Sequence, residues 1–260
     1  MTSELQKVST EDLYYICQMV DNVSRDPGSY IRHIEDIFGD AASASLVRGF
    51  PKYTCFHIFI HEIISSVIWE SANNRFEVEV IGNGLWIDRL IKANDSNLER
   101  DDWKKVAAFR GSVEDYLAFL SDLGVIEQVC DLITRQVFYV LFANRFTLRS
   151  FGKMVSSYVL YTAPNFAPDD FTATGKLPRS HVPQWAKNAT FHRDKGRCVF
   201  CKADLTKIFS LETKVHFDHI VPLAHGGLNC VTNLQLCCEV CNLGKGATSD
   251  NTSYDYEPWF

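Results

Sequence analysis

The amino-acid sequence predicts a mainly α-helical N-terminal domain followed by a small α+β domain that is stapled by zinc. Three observations lead to this fold class. Apolar residues recur at helical spacing up to about residue 162, prolines interrupt the region 163–182, and two CxxC pairs follow near the C-terminus. We therefore expect a helical domain at 1–162, a linker at 163–182 and a second domain at 183–260.

The first helices are predicted from capping residues and apolar stripes. Ser9 caps the first helix, and Asp26 followed by Pro27 begins a second helix that Gly39 ends. The stretch that starts at Tyr53 is apolar on both faces, which is typical of a central buried helix.

The later elements follow from the same signals. Residues 76–80 alternate with period two before a turn at 82–84, which predicts a short strand or hairpin. Ser112 caps the next helix, and helical spacing then continues to about residue 162. Beyond the linker, Pro183 opens a helix that runs to about Arg193.

The composition, with 46% hydrophobic and 22% charged residues, is that of an ordinary globular protein. The net charge of −6 argues against a general polyanion binder, although residues 176–260 hold 10 Lys and Arg against 8 Asp and Glu. The nine cysteines are odd in number, and charge replaces the apolar segment of a signal peptide, so we expect a cytoplasmic protein. The most apolar stretch, 54–69, is too short to cross a membrane.

The titratable residues of the first domain favour packing over chemistry. His57 and His61 lie four residues apart and offer a metal pair, but a histidine on an apolar helix more often belongs to the core. Three cysteines on apolar faces are interpreted as small buried hydrophobes: Cys17, Cys55 and Cys130. We therefore expect a regulatory or partner-binding role for this domain.

Four cysteines have the spacing of a structural zinc site: Cys198, Cys201, Cys238 and Cys241. Four thiolates close a tetrahedral site with no open position, and a domain of about 80 residues needs such a staple. Cys237 is adjacent to Cys238 and is an alternative ligand, but the CxxC spacing to Cys241 selects Cys238. Cys230 has no expected ligand role.

Three polar residues accompany the zinc ligands. Asp218 and His219 lie between the two CxxC pairs, and Asn242 follows the second pair. A carboxylate and an amide oxygen suit a hard divalent cation, and an adjacent histidine suits a general base. This combination predicts a hydrolytic centre built onto the zinc site.

The C-terminal third resembles the HNH endonuclease family in its zinc-bearing form. The resemblance is carried by the segments RDKGRCVFC, VHFDHIVPLAHGG, TNLQL and CEVCNLGKG, all between residues 183 and 248. It implies a ββα-metal fold and hydrolysis of DNA phosphodiester bonds, and it covers nothing in the first two thirds of the chain.

The resemblance also implies a role for each residue. His219 is the general base, and Asp218 and Asn242 bind one catalytic Mg²⁺ or Mn²⁺. Asn233 holds the connecting loop and orients the base. The last position of the family motif is often His, and Asn242 departs from that pattern with an oxygen ligand that favours Mg²⁺.

Contacts with DNA are predicted from basic residues near this centre, which are Lys245, Arg197, Arg193 and His225. For Arg193 and its neighbour Lys187, a solvated helix face is an equal alternative. His216 and His225 are somewhat better explained by packing or loop geometry than by DNA contact.

Three functions are consistent with the sequence. The first is a metal-dependent DNA endonuclease regulated by the helical domain, which by analogy acts in defence against foreign DNA. The second is a catalytically silent, zinc-stabilised module that binds DNA or a protein. The third gives the main role to the N-terminal domain, through a partner protein, a second copy of the chain or a small ligand.

Overall fold

The computed structural model of the protein describes residues 10–30, 37–38, 46–47, 49–73, 87–88, 91, 106, 108–161, 165, 168–208 and 213–254. These residues are mostly helical. The helices are α1 (Thr10–Arg25), α2 (Cys55–Asn73), α3 (Val113–Asp122), α4 (Val125–Phe142), α5 (Arg145–Tyr161), α6 (Gln184–Arg193) and α7 (Glu239–Lys245). Short 3₁₀ turns lie at Pro27–Ser29, Pro168–Asp170, Leu223–His225 and Val231–Asn233.

A small two-stranded antiparallel sheet lies near the C-terminus. Its strands are β1 (Val215–His219) and β2 (Leu234–Cys238), and α7 follows β2 directly. The register places Asp218 opposite Gln235 and His219 opposite Leu234. Because side chains alternate along a strand, His216 and Asp218 share one face of the hairpin and His219 lies on the other.

The chain divides into two compact units. The first comprises Met1–Val20 and Phe59–Phe138, and the second comprises Asp21–Ile58 and Tyr139–Phe260. The division therefore falls within α1, α2 and α4. The linker predicted at 163–182 lies inside the second unit and is not the point where the contacts separate.

The first unit has a helical core. Buried side chains from α2 include Phe59 and Ile63, and α3 contributes Leu117 and Leu120. A buried hydrogen bond joins the Tyr116 hydroxyl to Asp88 Oδ1 at 2.8 Å.

In the second unit, α5 packs against the loop between β1 and β2. A Cβ atom at Gly152 would lie 3.0 Å from Val221 Cγ2, and one at Gly226 would collide with the carbonyl oxygen of Ser156. Gly226 also has φ +80°, a left-handed conformation that favours glycine. These close contacts are the physical reason why α5 belongs with the C-terminal elements.

Several predicted elements are confirmed. Ser112 forms a capping box with Asp115 at the start of α3, and α2 is deeply buried through residues such as Phe56 and Ile64. Pro183 precedes α6, as expected.

Other predicted elements differ or cannot be compared. After Asp26 a 3₁₀ turn is described and residues 37–38 are helical, while residues 31–36 lie outside the described part of the chain; Asp26 makes no side-chain capping bond. Ser9 and the strand predicted at 76–80 lie outside the described residues.

The histidines and cysteines of the N-terminal region are explained by packing. His57 is buried, and its Nδ1 lies 3.0 Å from the Thr54 backbone nitrogen, while His61 pairs with Glu127 at 3.1 Å. Three cysteines are buried among apolar residues, as predicted: Cys17, Cys55 and Cys130. Within the described residues, no helix is both long and apolar enough to cross a membrane.

Candidate active site and zinc centre

The four cysteines predicted to bind zinc lie together. Their Sγ atoms are all within 4.8 Å of one another, and Cys201 Sγ lies 3.7 Å from Cys238 Sγ. A zinc–sulfur bond of about 2.3 Å in a tetrahedron gives sulfur–sulfur distances of about 3.8 Å. The geometry therefore fits a tetrahedral ion held by Cys198, Cys201, Cys238 and Cys241.

The cluster also distinguishes the two neighbouring cysteines. Cys238 belongs to it, whereas Cys237 is buried in the hydrophobic core beside Leu236. Burial would raise the pKa of Cys198, but hydrogen bonds from the backbone of Cys238 and Cys201 outweigh it and lower the pKa to about 7. Backbone N–H groups thus favour a thiolate, the form that binds zinc.

Asn233 fixes the loop that follows β1. Its Oδ1 accepts a hydrogen bond from Val221 N at 2.8 Å, and its Nδ2 donates to Val221 O and Leu228 O at 2.9 and 3.0 Å. The side chain is buried, and all of these bonds are made to backbone atoms. Asn233 thus makes the loop contacts expected of it, while its part in catalysis stays a prediction.

The position of His219 gives it the character of a neutral base. Only 6% of the residue is exposed, and burial together with the charge of Arg179 lowers its pKa to about 4. Asp218 and a hydrogen bond with the Asn229 side chain act in the opposite direction. The ring is therefore neutral near pH 7, and its Nε2 has no hydrogen-bond partner among the described residues.

Asp218 contacts two polar side chains, Lys245 and Gln235, that were not predicted to be its partners. Lys245 Nζ is 2.9 Å from Asp218 Oδ2 and donates a 2.8 Å hydrogen bond to His219 O. Gln235 Nε2 donates to the same Asp218 oxygen at 2.9 Å. The Lys245 side chain is only 3% exposed, so it is an internal partner of Asp218 and the expected phosphate contact is corrected.

Asn242, the second expected metal ligand, has another neighbour. Its Nδ2 lies 3.4 Å from His216 Nδ1, on the face of β1 that also carries Asp218. Within the described part of the chain, Asp218 is paired with Lys245 and Gln235, so the two expected ligands have different partners.

Buried atoms near Asp218 nevertheless fit a divalent cation. Gln235 Oε1 and His216 Nε2 are buried with no hydrogen-bond partner among the described residues. The Lys245 ammonium group shows that a positive charge is stabilised at Asp218 Oδ2. A carboxylate and an amide oxygen are suitable donors for Mg²⁺ or Mn²⁺, whereas an imidazole suits transition metals better.

A second buried carboxylate, Asp194, joins three elements of this unit. It accepts hydrogen bonds from Arg145 of α5 at 2.9 Å, from Arg193 of α6 at 2.8 and 2.9 Å, and from Leu236 N of β2 at 2.9 Å. Burial would raise the pKa of Asp194, but the two guanidinium groups outweigh it and hold the pKa below its usual value.

Arg193 is therefore not available to DNA. Its side chain is 2% exposed, donates to Leu234 O at 2.6 Å and lies over the ring of Phe142. The predicted DNA contact is corrected for this residue, because its charge is used inside the protein. Arg197 and His225 are exposed, and a DNA contact from either stays a prediction.

Three residues near the site were not identified from the sequence. Gln235 contacts Asp218 across the hairpin, a pairing that the strand register could have revealed. Asn229 hydrogen-bonds to His219 and to the chain near Arg179, a region far away in sequence. No local pattern marks Asn229 or Arg179.

The comparisons with known proteins concern this part of the chain. Residues 198–255 match the HNH endonuclease family model, and no family model matches the N-terminal part. No curated protein and no solved structure matches the chain. The match points to nuclease activity, and the family implies DNA as the substrate.

Proposed function

We propose that the protein is a metal-dependent endonuclease that hydrolyses phosphodiester bonds of DNA, with His219 as the general base. The observation that carries this proposal is the state of His219, which directly follows Asp218 in β1, is buried and neutral, and has no hydrogen-bond partner at Nε2 in the described part of the chain. The match of residues 198–255 to HNH endonucleases supports it.

In the proposed reaction, His219 Nε2 takes a proton from water as the water oxygen attacks phosphorus. Asn233 keeps the loop after β1 in place, and a hydrogen bond with Asn229 orients the imidazole. Asp218 and Asn242 would hold Mg²⁺ or Mn²⁺, and the ion would supply positive charge to the phosphate and to the 3′ oxygen that leaves as its bond to phosphorus breaks.

The cysteine cluster has a structural role in this proposal. One Zn²⁺ on the four cysteines joins the segment at 198–201 to β2 and α7. A four-thiolate site has no open position, so it holds the fold and takes no part in the reaction.

The N-terminal part is proposed to regulate cleavage, by binding a protein partner or a second copy of the chain. The acidic balance of residues 1–175, with 16 Lys and Arg against 24 Asp and Glu, would oppose unselective DNA binding. A regulated DNA nuclease in the cytoplasm is suited to defence against foreign DNA, and this role rests on analogy.

One contact favours a second candidate, a silent module that binds DNA or a protein. Lys245 occupies one oxygen of Asp218, and an ammonium group there competes with a divalent ion. If the pair persists when Mg²⁺ is added, zinc stabilises a fold without catalysis.

Cleavage of supercoiled plasmid by the full-length protein separates the two candidates. With Mg²⁺ or Mn²⁺ we expect nicked or linear product, and His219→Ala should lower the rate by about 100-fold to 10,000-fold, the usual contribution of a general base. His192→Ala, which removes an exposed histidine of α6, is the matched control and should cut normally.

The folded state of each variant is checked by its zinc content, expected at one ion per chain, and by its thermal unfolding. If the wild-type protein holds zinc, binds DNA and cuts nothing, the silent module replaces the nuclease. Cutting by His219→Ala at the wild-type rate would remove His219 from the reaction.

A further inference from the structure

A cleft of about 430 Å³ lies beside β1 and carries positive charge. Arg179 and Lys187 line it together with His181, and His216 and Asn242 of the candidate site line it as well. Among the described residues that line this cleft, none is Asp or Glu. A chain with a net charge of −6 therefore has a cationic cleft that opens onto one of its expected metal ligands.

Arg179 lines the same cleft as His216 and Asn242 of the candidate site. The residue is exposed, and no ion pair joins it to another part of the chain that the structure describes. Its guanidinium is thus part of the cleft and is available to an anion.

The backbone around Arg179 is held in place by Asn229. Asn229 Oδ1 accepts a hydrogen bond from Ser180 N at 3.2 Å, and its Nδ2 donates to Pro178 O at 2.8 Å. Asn229 follows Leu228, whose carbonyl oxygen accepts a hydrogen bond from Asn233 Nδ2 in the loop after β1. One buried amide therefore ties the segment that carries Arg179 to the loop of the candidate site.

We propose that this cleft binds the DNA backbone, with Arg179 on the phosphate that is cleaved and Lys187 on a neighbouring phosphate. The inference rests on the proposed nuclease function, and both residues lie outside the 198–255 segment that matches the family. A guanidinium forms two parallel hydrogen bonds with a phosphate and stabilises the charge that develops there. An ammonium group such as that of Lys187 acts as a simple positive charge.

Binding is tested in the full-length His219→Ala background, where DNA stays intact, by fluorescence anisotropy of a labelled 20-base-pair duplex at several salt concentrations. Adding Arg179→Ala or Lys187→Ala should weaken binding about tenfold whatever the DNA sequence. Each should also reduce the slope of log K against log salt by about 1, since one phosphate contact is lost.

Arg135→Ala and Lys52→Ala are the matched controls. Both side chains are exposed and lie outside the cleft, so neither substitution should change the affinity or the salt slope. If the two cleft variants retain the affinity and slope of the His219→Ala parent, the cleft does not bind DNA and the proposal is overturned.

Cleavage kinetics in the otherwise wild-type chain separate the two cations. Arg179→Ala should lower kcat by about 100-fold with little change in KM, because the contact strengthens in the transition state. Lys187→Ala should raise KM and leave kcat unchanged, and Arg179→Lys should restore part of the lost rate. A rise in KM alone for Arg179→Ala would overturn its placement on the cleaved phosphate.

Failure of this inference can be told apart from failure of the nuclease proposal. If the wild-type protein binds DNA through Arg179 and Lys187 but never cuts it, the cleft is supported as a DNA site and the nuclease proposal fails. If the wild-type protein cuts DNA and both variants bind and cut normally, the nuclease proposal is supported and the cleft proposal fails. Zinc content and thermal unfolding exclude misfolding as the cause of any loss.

Discussion

Asp194 and Asp218 are two carboxylates of the same compact unit, each with a cationic partner, and they differ in exposure and in the kind of polar atom that surrounds them. The Asp194 side chain is fully buried and receives bonds from two arginines and a backbone N–H group. The Asp218 side chain is 15% exposed and contacts one lysine and one glutamine. Around Asp218, buried atoms of Gln235 and His219 have no hydrogen-bond partner among the described residues.

This difference separates a structural carboxylate from a functional one. Around Asp194 a buried atom without a hydrogen-bond partner among the described residues, Arg193 Nη1, is an N–H donor, whereas around Asp218 such atoms include the acceptor Gln235 Oε1 and imidazole nitrogens. Arg145, Arg193 and Leu236 hold α5, α6 and β2 to Asp194, and an N–H donor has no capacity to bind a cation. The atoms around Asp218 have that capacity.

The largest effect on stability is expected at Asp194. Asp194→Asn removes the charge between two buried guanidinium groups, and an unpaired buried charge costs about 3–5 kcal/mol. We therefore expect the free energy of unfolding, measured with urea, to fall by this amount. Cleavage measured where the variant is still folded should stay within about tenfold of wild type.

Asp250→Asn is the matched control for this substitution. Asp250 pairs with Arg149 and Lys153, but its side chain is 25% exposed, so the loss should stay within about 1 kcal/mol. Equal losses for the two variants would contradict the view that Asp194 is the carboxylate that holds the unit together.

The opposite pattern is expected at Asp218. Asp218→Asn keeps the shape of the side chain and should reduce plasmid cleavage about 100-fold, equivalent to about 2.7 kcal/mol in the activation barrier. The unfolding free energy should fall by only about 1.5–3 kcal/mol, because Lys245 retains its hydrogen bond to His219 O.

The Asp218→Asn experiment compares cleavage rates at fixed Mg²⁺ with urea unfolding of the same preparations. Should this variant lose as much stability as Asp194→Asn and still cut DNA normally, the two carboxylates would have the same structural role. The proposed metal site at Asp218 would then have no support.

The sequence predicted those structural features that depend on residues close together in the chain. The capping box at Ser112, the buried helix α2 and the cysteine cluster all follow from residues a few positions apart, or from a spacing that metal chemistry restricts. The resemblance to HNH endonucleases likewise depends on short motifs, and it is confirmed by the match to residues 198–255.

The roles of charged residues could not be predicted in the same way. Arg193 and Lys245 lie in segments that read as basic and solvated, yet both are buried because their main partners come from other elements. Arg145 contacts Asp194 across 49 positions of sequence. A single sequence contains no signal for such pairs, so the burial of two of the four residues predicted to contact DNA was not foreseen, and Arg179 and Asn229 were missed.

The smallest expected effect is a change with pH in the stability that Asp194 contributes. The pKa of Asp194 is held below its usual value, so in the unfolded chain the group takes up a proton at higher pH than in the folded protein. Its contribution to stability is therefore fully present above about pH 4, the unfolded pKa, and is lost as the pH falls further through the folded pKa.

The difference in unfolding free energy between wild type and Asp194→Asn should accordingly stay constant from pH 7 to pH 5 and narrow below pH 4. Acid also protonates the zinc ligands, but it does so in both proteins and cancels in the difference. Urea unfolding of wild type and Asp194→Asn at each pH measures this difference in unfolding free energy. A difference that is unchanged at pH 3 would show that the Asp194 carboxylate is not stabilised by the two arginines.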